Sequence, residues 1–228
     1  MITIQSLSKF YGTHRVLHEI SLTFNWGEIH GIVGENGAGK TTLFQCVAGL
    51  TSYSGEIHYD RGILKNELGY LPTDLFFFSK MTGMEYLQLV CNARGIKNNR
   101  ITDGNLFDLP LHQYAETYST GMKKKLAITG LLLQKNEVFI LDEPFNGVDI
   151  HSNSIIQEIL LKLKELNKIV LMSSHIFSTL NDACDYLHYL KGGTIQQSAT
   201  KGDFASIEED MKQDGIGIRV ADIVTGML

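Results

Sequence analysis

Gly34-Glu35-Asn36-Gly37-Ala38-Gly39-Lys40-Thr41-Thr42 is the stretch whose reading decides the fold. From Gly34 to Thr41 it fits G-x-x-x-x-G-K-[ST]. Before it, Glu28-Ile29-His30-Gly31-Ile32-Val33 reads as a short buried strand, and after it Leu43, Val47 and Leu50 recur at helical spacing. Strand, glycine-rich loop, then helix is the context that a phosphate-binding loop requires. Glycines let successive backbone N–H groups turn inward, and the helix N-terminus adds partial positive charge, so the loop can cradle an anion. Gly34, Asn36, Gly37, Ala38, Gly39 and Thr42 form the cradle. Lys40 would reach the β- and γ-phosphates and the Thr41 hydroxyl would ligate Mg²⁺.

Moving outward, Glu137-Val138-Phe139-Ile140-Leu141-Asp142-Glu143 reads as a buried parallel-type strand ending in two carboxylates. Acidic residues at the carboxyl end of such a strand lie beside the ligand crevice of an open α/β sheet. Asp142 could share the Mg²⁺ with Thr41, and Glu143 could accept a proton from an attacking water. Ile169 to Ser174 is a further core strand, with His175 at its carboxyl end where a third crevice residue would stand. Tyr118-Ser119-Thr120-Gly121-Met122 leads into a helix running through Leu133, with Ser119 as N-cap, which makes a second candidate anion site. Lys123 to Lys125 read as a solvated helix face rather than a nucleic-acid patch.

Ile2 to Leu7 and Val16 to Phe24 alternate apolar and polar residues, and Gly55 to Tyr59 is another short strand. An antiparallel sheet therefore precedes and flanks the loop. Tyr11, in a turn before that sheet's second strand, has a face that could stack on a purine. Leu68 to Leu71 is a core strand closed by Pro72. Then Met81 to Cys91 and Leu106 to Thr117 carry helical periodicity, joined by the polar, breaker-rich Gly95 to Gly104. This is a helical insertion, opened by Phe76-Phe77-Phe78, which either pack it against the core or present an apolar groove to another protein. Ser152 to Leu166 and Thr179 to Asp185 read as helices, and Tyr186 to Leu190 with Gly193 to Gln197 as a hairpin. One short helix is expected near Phe204 to Met211, and the tail carries no functional reading.

Composition narrows the class. The chain has 228 residues, 43% hydrophobic and 20% charged, with net charge −5, which gives no support to nucleic-acid binding. No apolar run approaches the ~18 residues of a membrane span. The first residues lack the pattern of a secretory signal, and three scattered cysteines, Cys46, Cys91 and Cys184, read as reduced thiols, so a cytoplasmic location is expected.

Taken together, these elements resemble the ATPase subunit of an ABC (ATP-binding cassette) transporter over residues 2 to about 200. Gly34 to Thr42 matches the Walker A motif, and Val138 to Glu143 the Walker B motif with its catalytic glutamate. Tyr118 to Met122 resembles the signature motif, Phe145 to Asp149 the D-loop, and His175 the switch histidine. Tyr11 falls where the adenine-stacking aromatic lies. The resemblance implies an α/β fold: a P-loop NTPase (RecA-like) core with an N-terminal antiparallel β subdomain (1–75 and 119–200) and an inserted α-helical subdomain (76–118), with 201–228 as a tail. It also implies ATP and Mg²⁺. Two cassettes would pair head to tail, as a homo- or heterodimer, so that Ser119 and Gly121 of one contact the γ-phosphate held by Lys40 of the other. The dimer would drive an integral membrane permease, of an export-type bacterial system, from the cytoplasmic face. Two departures stand out. Thr73, followed by Asp74, occupies the place of the Q-loop glutamine that offers an oxygen to Mg²⁺, and the signature has Thr120 for glycine and Met122 for glutamine. The alternative is a non-transport ABC ATPase acting in assembly, repair or translation.

Overall fold

In the computed structural model, which describes residues 1–97, 101–175 and 177–214, two sheets meet around the glycine-rich loop. The first is antiparallel: β1 (Ile2–Tyr11) lies between β2 (His14–Phe24) and β4 (Ser54–Tyr59). Between β2 and β4 come β3 (Ile29–Val33) and α1 (Lys40–Val47). The chain continues through α2 (Leu64–Glu67), β5 (Leu68–Leu71), α3 (Gly83–Ala93), α4 (Thr120–Leu133), β6 (Val138–Asp142) and α5 (Ile150–Glu165). It closes with β7 (Ile169–Ser174), α6 (Phe177–Ala183), β8 (Tyr186–Lys191), β9 (Thr194–Thr200) and α7 (Phe204–Asp214). The second sheet has the order β5-β6-β7-β3-β8-β9, parallel except for β9, which pairs antiparallel with β8.

The centre of the large sheet is covered on both faces, so β6 and β7 read as near-continuous apolar runs. Val138, Ile140, Ile169 and Leu171 pack with α1 and the antiparallel sheet, while Phe139, Leu141, Val170 and Met172 pack with residues of α3 to α5. The period of 2 along each strand thus divides one strand between two cores. The loop leaves β3 at the carboxyl edge of this sheet, beside the ends of β6 and β7.

Three expectations are corrected. The segment 106–117 is not a helix: apart from one 3-10 turn at Ala115–Thr117 it is irregular. Pro110 cannot donate to a helical ladder. Asp108 sits at φ 50°, and the Asn105 side chain both donates to Leu109 O (2.9 Å) and accepts from Leu109 N (3.0 Å). The apolar residues are nonetheless buried: Phe107, Leu109, Leu111 and Ala115 join the core with Leu87 of α3 and Leu126 of α4. Leu50 lies outside α1 and is 63% exposed. Tyr11 belongs to β1, opposite His14, rather than to the turn, which is Gly12 and Thr13. The α3 helix, by contrast, starts as its residues dictate, with Thr82 and Glu85 exchanging hydrogen bonds in a capping box. Phe204 and Ile207 of α7 are buried in the same core, so the start of the tail is part of the folded unit; residues 215–228 lie outside the described residues.

Candidate functional site

The glycine-rich loop takes its shape from close packing. A Cβ on Gly34 would stand 2.2 Å from Leu190 O, and Gly39 holds φ 109° as the residue before α1. Only glycine fits either place. The Lys40 ammonium turns back into the loop, donating to Gly34 O (2.7 Å) and Glu35 O (3.0 Å). Burial lowers its pKa, against the pull of the Glu143 and Asp142 carboxylates. Lys40 therefore waits as a largely desolvated cation whose strongest available partner is an incoming anion.

Next to it runs a chain of hydrogen bonds that joins the first turn of α1 to the ends of β6 and β7. Thr41 Oγ1 donates to Asp142 Oδ2 (2.6 Å), and Ser173 Oγ donates to Asp142 Oδ1 (2.5 Å). The backbone N–H of Glu143 donates to Ser173 Oγ (3.0 Å), and the imidazole of His175 donates through Nδ1 to Glu143 Oε2 (2.9 Å). Asp142 is 1% exposed. Such a carboxylate is held in one orientation by both of its neighbours. Glu143 leaves the strand at φ 55°, a conformation that costs a non-glycine residue on the order of 1 kcal/mol and breaks the strand alternation that would turn its side chain to the face opposite Asp142.

These groups open into a cavity of about 230 Å³ lined by Asn36, Gly37, Gly39, Lys40, Thr41, Thr42, Asp142 and Glu143, with Val16 and Thr73 at its edge. Thr73 therefore stands at the site where the glutamine was expected. Ala38 and Glu35 face a second hollow behind the loop with Lys191 and Gly192. The oxygens of Thr41, Asp142 and Thr73 make a hard donor set with few protein ligands, which suits Mg²⁺ sharing its sphere with phosphate oxygens. Among the described residues no cluster of three His, Cys, Asp or Glu side chains offers an all-protein metal site.

Of the expected residues, His175 meets this cavity only through its hydrogen bond to Glu143 Oε2, and two further groups lie away from it. Tyr11 is half exposed at the end of β1, with the Lys9 ammonium 4.7 Å from its ring centroid. Ser119 and Gly121 sit at the start of α4, against the Phe145–Asp149 loop. Ser119 Oγ accepts from Met122 N as a helix cap, and a Cβ on Gly121 would lie 2.6 Å from Gly147 O. The lysines after them are not a uniformly solvated face. Lys124 is buried at 2% exposure and donates to Glu143 O (2.6 Å) and Asn146 O (2.9 Å), and Lys125 pairs with Asp149 (3.1 Å). Ser173 and Lys124 are the site residues that sequence reasoning missed. The polar pair Ser173-Ser174 at the end of an otherwise apolar strand was the signal for the first.

The family model of ABC transporters matches residues 17–146. The ABC transporter ATP-binding protein YxlF of Bacillus subtilis is 30% identical, over 100% of this chain and 79% of its own length. The bacitracin transport ATP-binding protein BcrA of Enterococcus faecalis is 31% identical, over 86% of this chain and 68% of its own. Among solved structures, a dimeric ATP-binding cassette in a post-hydrolysis state with ADP and Pi superposes with a TM-score of 0.80 at 19% identity, covering 90% of this chain and 100% of that one. That likeness is one of fold.

Proposed function

The chain belongs to the ABC transporter family, and on that premise we propose how its residues share the work. It is an ATP-binding, ATP-hydrolysing subunit of an ABC transporter. The observation that carries the residue assignment is the hydrogen-bonded chain from Thr41 through Asp142 and Ser173 to Glu143 and His175, of which Thr41, Asp142 and Glu143 line the cavity with Lys40.

In this reading Gly34 to Thr42 hold the triphosphate through backbone N–H groups, and Lys40 exchanges its two loop carbonyls for phosphate oxygens. Thr41 and Asp142, with Thr73 in the same cavity, would hold Mg²⁺, which when bound would neutralise charge developing on the phosphates. Glu143 accepts the proton of the attacking water, and His175 orients the carboxylate while facing the γ-phosphate. Tyr11 stacks on the adenine.

Ser119 and Gly121 complete the site of a second copy or a related cassette, paired head to tail, since their own cavity is out of their reach. The permease docks on the insertion. There Phe76 and Phe78 are 77% and 56% exposed, beside a groove lined by Phe78, Lys80, Met81, Glu85 and Leu89. No helix among the described residues is long and apolar enough to cross a membrane; in this reading the partner supplies the membrane path. The subunit works at the cytoplasmic face, and the similarity to a bacitracin transport protein supports a role in transport.

The test is Glu143→Gln. Turnover should fall by ~10²-fold or more, the scale of a lost general base, with ATP affinity retained. Turnover at the wild-type level in a pure preparation would remove Glu143 from that role.

A further inference from the structure

Lys124 carries a positive charge where water hardly reaches it. It is 2% exposed, and no carboxylate among the described residues lies within ion-pair distance. Its contacts are two backbone carbonyls, Glu143 O at 2.6 Å and Asn146 O at 2.9 Å. Burying an ammonium is costly unless hydrogen bonds compensate, so the place of those bonds matters. Glu143 O is the carbonyl of the residue held at φ 55°, and it also accepts from Asn146 N (3.3 Å), closing the turn that re-aims the carboxylate. The ammonium therefore sits on the hinge of the Glu143 side chain's direction. Lys124 reaches it from α4, the helix that begins with Ser119 and Gly121. Lys125, one residue on, grips the far end of the same loop through Asp149 Oδ2 (3.1 Å) and Ser152 Oγ (3.2 Å).

We propose that Lys124 is a positioning residue for Glu143: it clamps the strained turn after Asp142, and it ties the aim of the carboxylate to the helix whose N-terminus meets the partner's nucleotide. The inference rests on the assignment of Glu143 as the proton acceptor. Removing the ammonium leaves two carbonyls of a strained turn without their charged donor, and Glu143 relaxes toward the extended conformation that non-glycine residues favour. The cavity, Lys40 and Thr41 stay as they are, so nucleotide binding persists. The signature face also persists, because Ser119 caps its helix without help from Lys124.

The experiment compares Lys124→Met, Lys124→Arg and Glu143→Gln in the full chain, measuring ATP turnover and the mass of the protein with and without ATP by light scattering. Lys124→Met should lower kcat at least ~10-fold, as expected for a misplaced catalytic group, with KM for ATP within about twofold. It should still pair in ATP, like Glu143→Gln. Lys124→Arg, which keeps charge and donors, should recover most of the turnover. Wild-type kcat in Lys124→Met overturns the proposal. So does a raised KM with loss of ATP-driven pairing, which would assign Lys124 to the helix alone. Wild-type turnover in Glu143→Gln overturns the Glu143 assignment and this inference together. Should Lys124→Met not fold, Lys124→Gln, an uncharged donor, faces the same comparison.

Discussion

At the scale of single residues, the site depends on polar groups with one geometry each. Lys40 shows this: its charge is desolvated and held by two carbonyls until phosphate replaces them. Lys40→Ala should therefore weaken ATP binding by roughly 10-fold or more, the scale of a lost charge-assisted contact, and equilibrium titration with a fluorescent nucleotide measures it. Unchanged affinity would mean that backbone N–H groups alone hold the phosphates. Thr73 lines the cavity, and its oxygen stands two bonds closer to the backbone than that of the glutamine in the family pattern. Thr73→Gln should lower the Mg²⁺ concentration needed for half-maximal turnover; an unchanged Mg²⁺ dependence would show that the threonine already serves. Glycine-rich loop, Asp142, Glu143 and His175 were all legible in the sequence because each sits at a strand end next to a breaker or a charge. Ser173 and Lys124 were not. A serine that closes an apolar strand and a lysine among three lysines carry no local mark of what they touch across 30 and 19 residues of chain.

Among the elements, the long-period signals held and the mixed one failed. β6 and β7 of the large sheet are buried at every position and nearly all apolar, and were readable as such. Segment 106–117 spaced its apolar residues as a helix would, yet Pro110 and the Asn105–Leu109 pair fix a different backbone that buries the same side chains. Asn105→Ala removes two hydrogen bonds and should cost about 1–2 kcal/mol of stability in urea unfolding. No change would show that the turn is held by Pro110 and packing alone. β3 and β8 bring together another feature that no pattern announced. His30 Nδ1 lies 3.2 Å from His188 Nε2; Glu28 and Ser198 hold the outer ring nitrogens, Tyr186 stacks on His30, and Asp185 lies nearby. Burial pushes His30 down to about 4, against Asp185, and burial with the neighbouring His30 pushes His188 down to about 3. Both are neutral in the fold, whereas in the unfolded chain they take up protons below about 6.5. The unfolded state thus binds more protons between pH 6.5 and 4, and stability declines as pH falls through that window, by up to about 1.4 kcal/mol per pH unit for each histidine. Urea unfolding at pH 7 and pH 5 checks this; equal stabilities at the two values would contradict the neutral pair.

At the scale of the whole molecule, the proposed function gives one chain both halves of a catalytic site, but not facing each other. The phosphate loop, Asp142 and Glu143 line one cavity, and Ser119 with Gly121 lies elsewhere, against the Phe145–Asp149 loop. In the proposed head-to-tail pair, one chain's first half would meet the other's second, with ATP between them. The most direct measurement is the mass of Glu143→Gln by light scattering, with and without ATP, alone and combined with Ser119→Asp. Aspartate still caps the helix but repels a phosphate. The predicted result is a mass that rises from 25.5 kDa to twice that value only when ATP is present, and a Ser119→Asp version that binds ATP yet stays at the single-chain mass. A single-chain mass for Glu143→Gln at saturating ATP, or pairing indifferent to Ser119→Asp, would contradict the composite site.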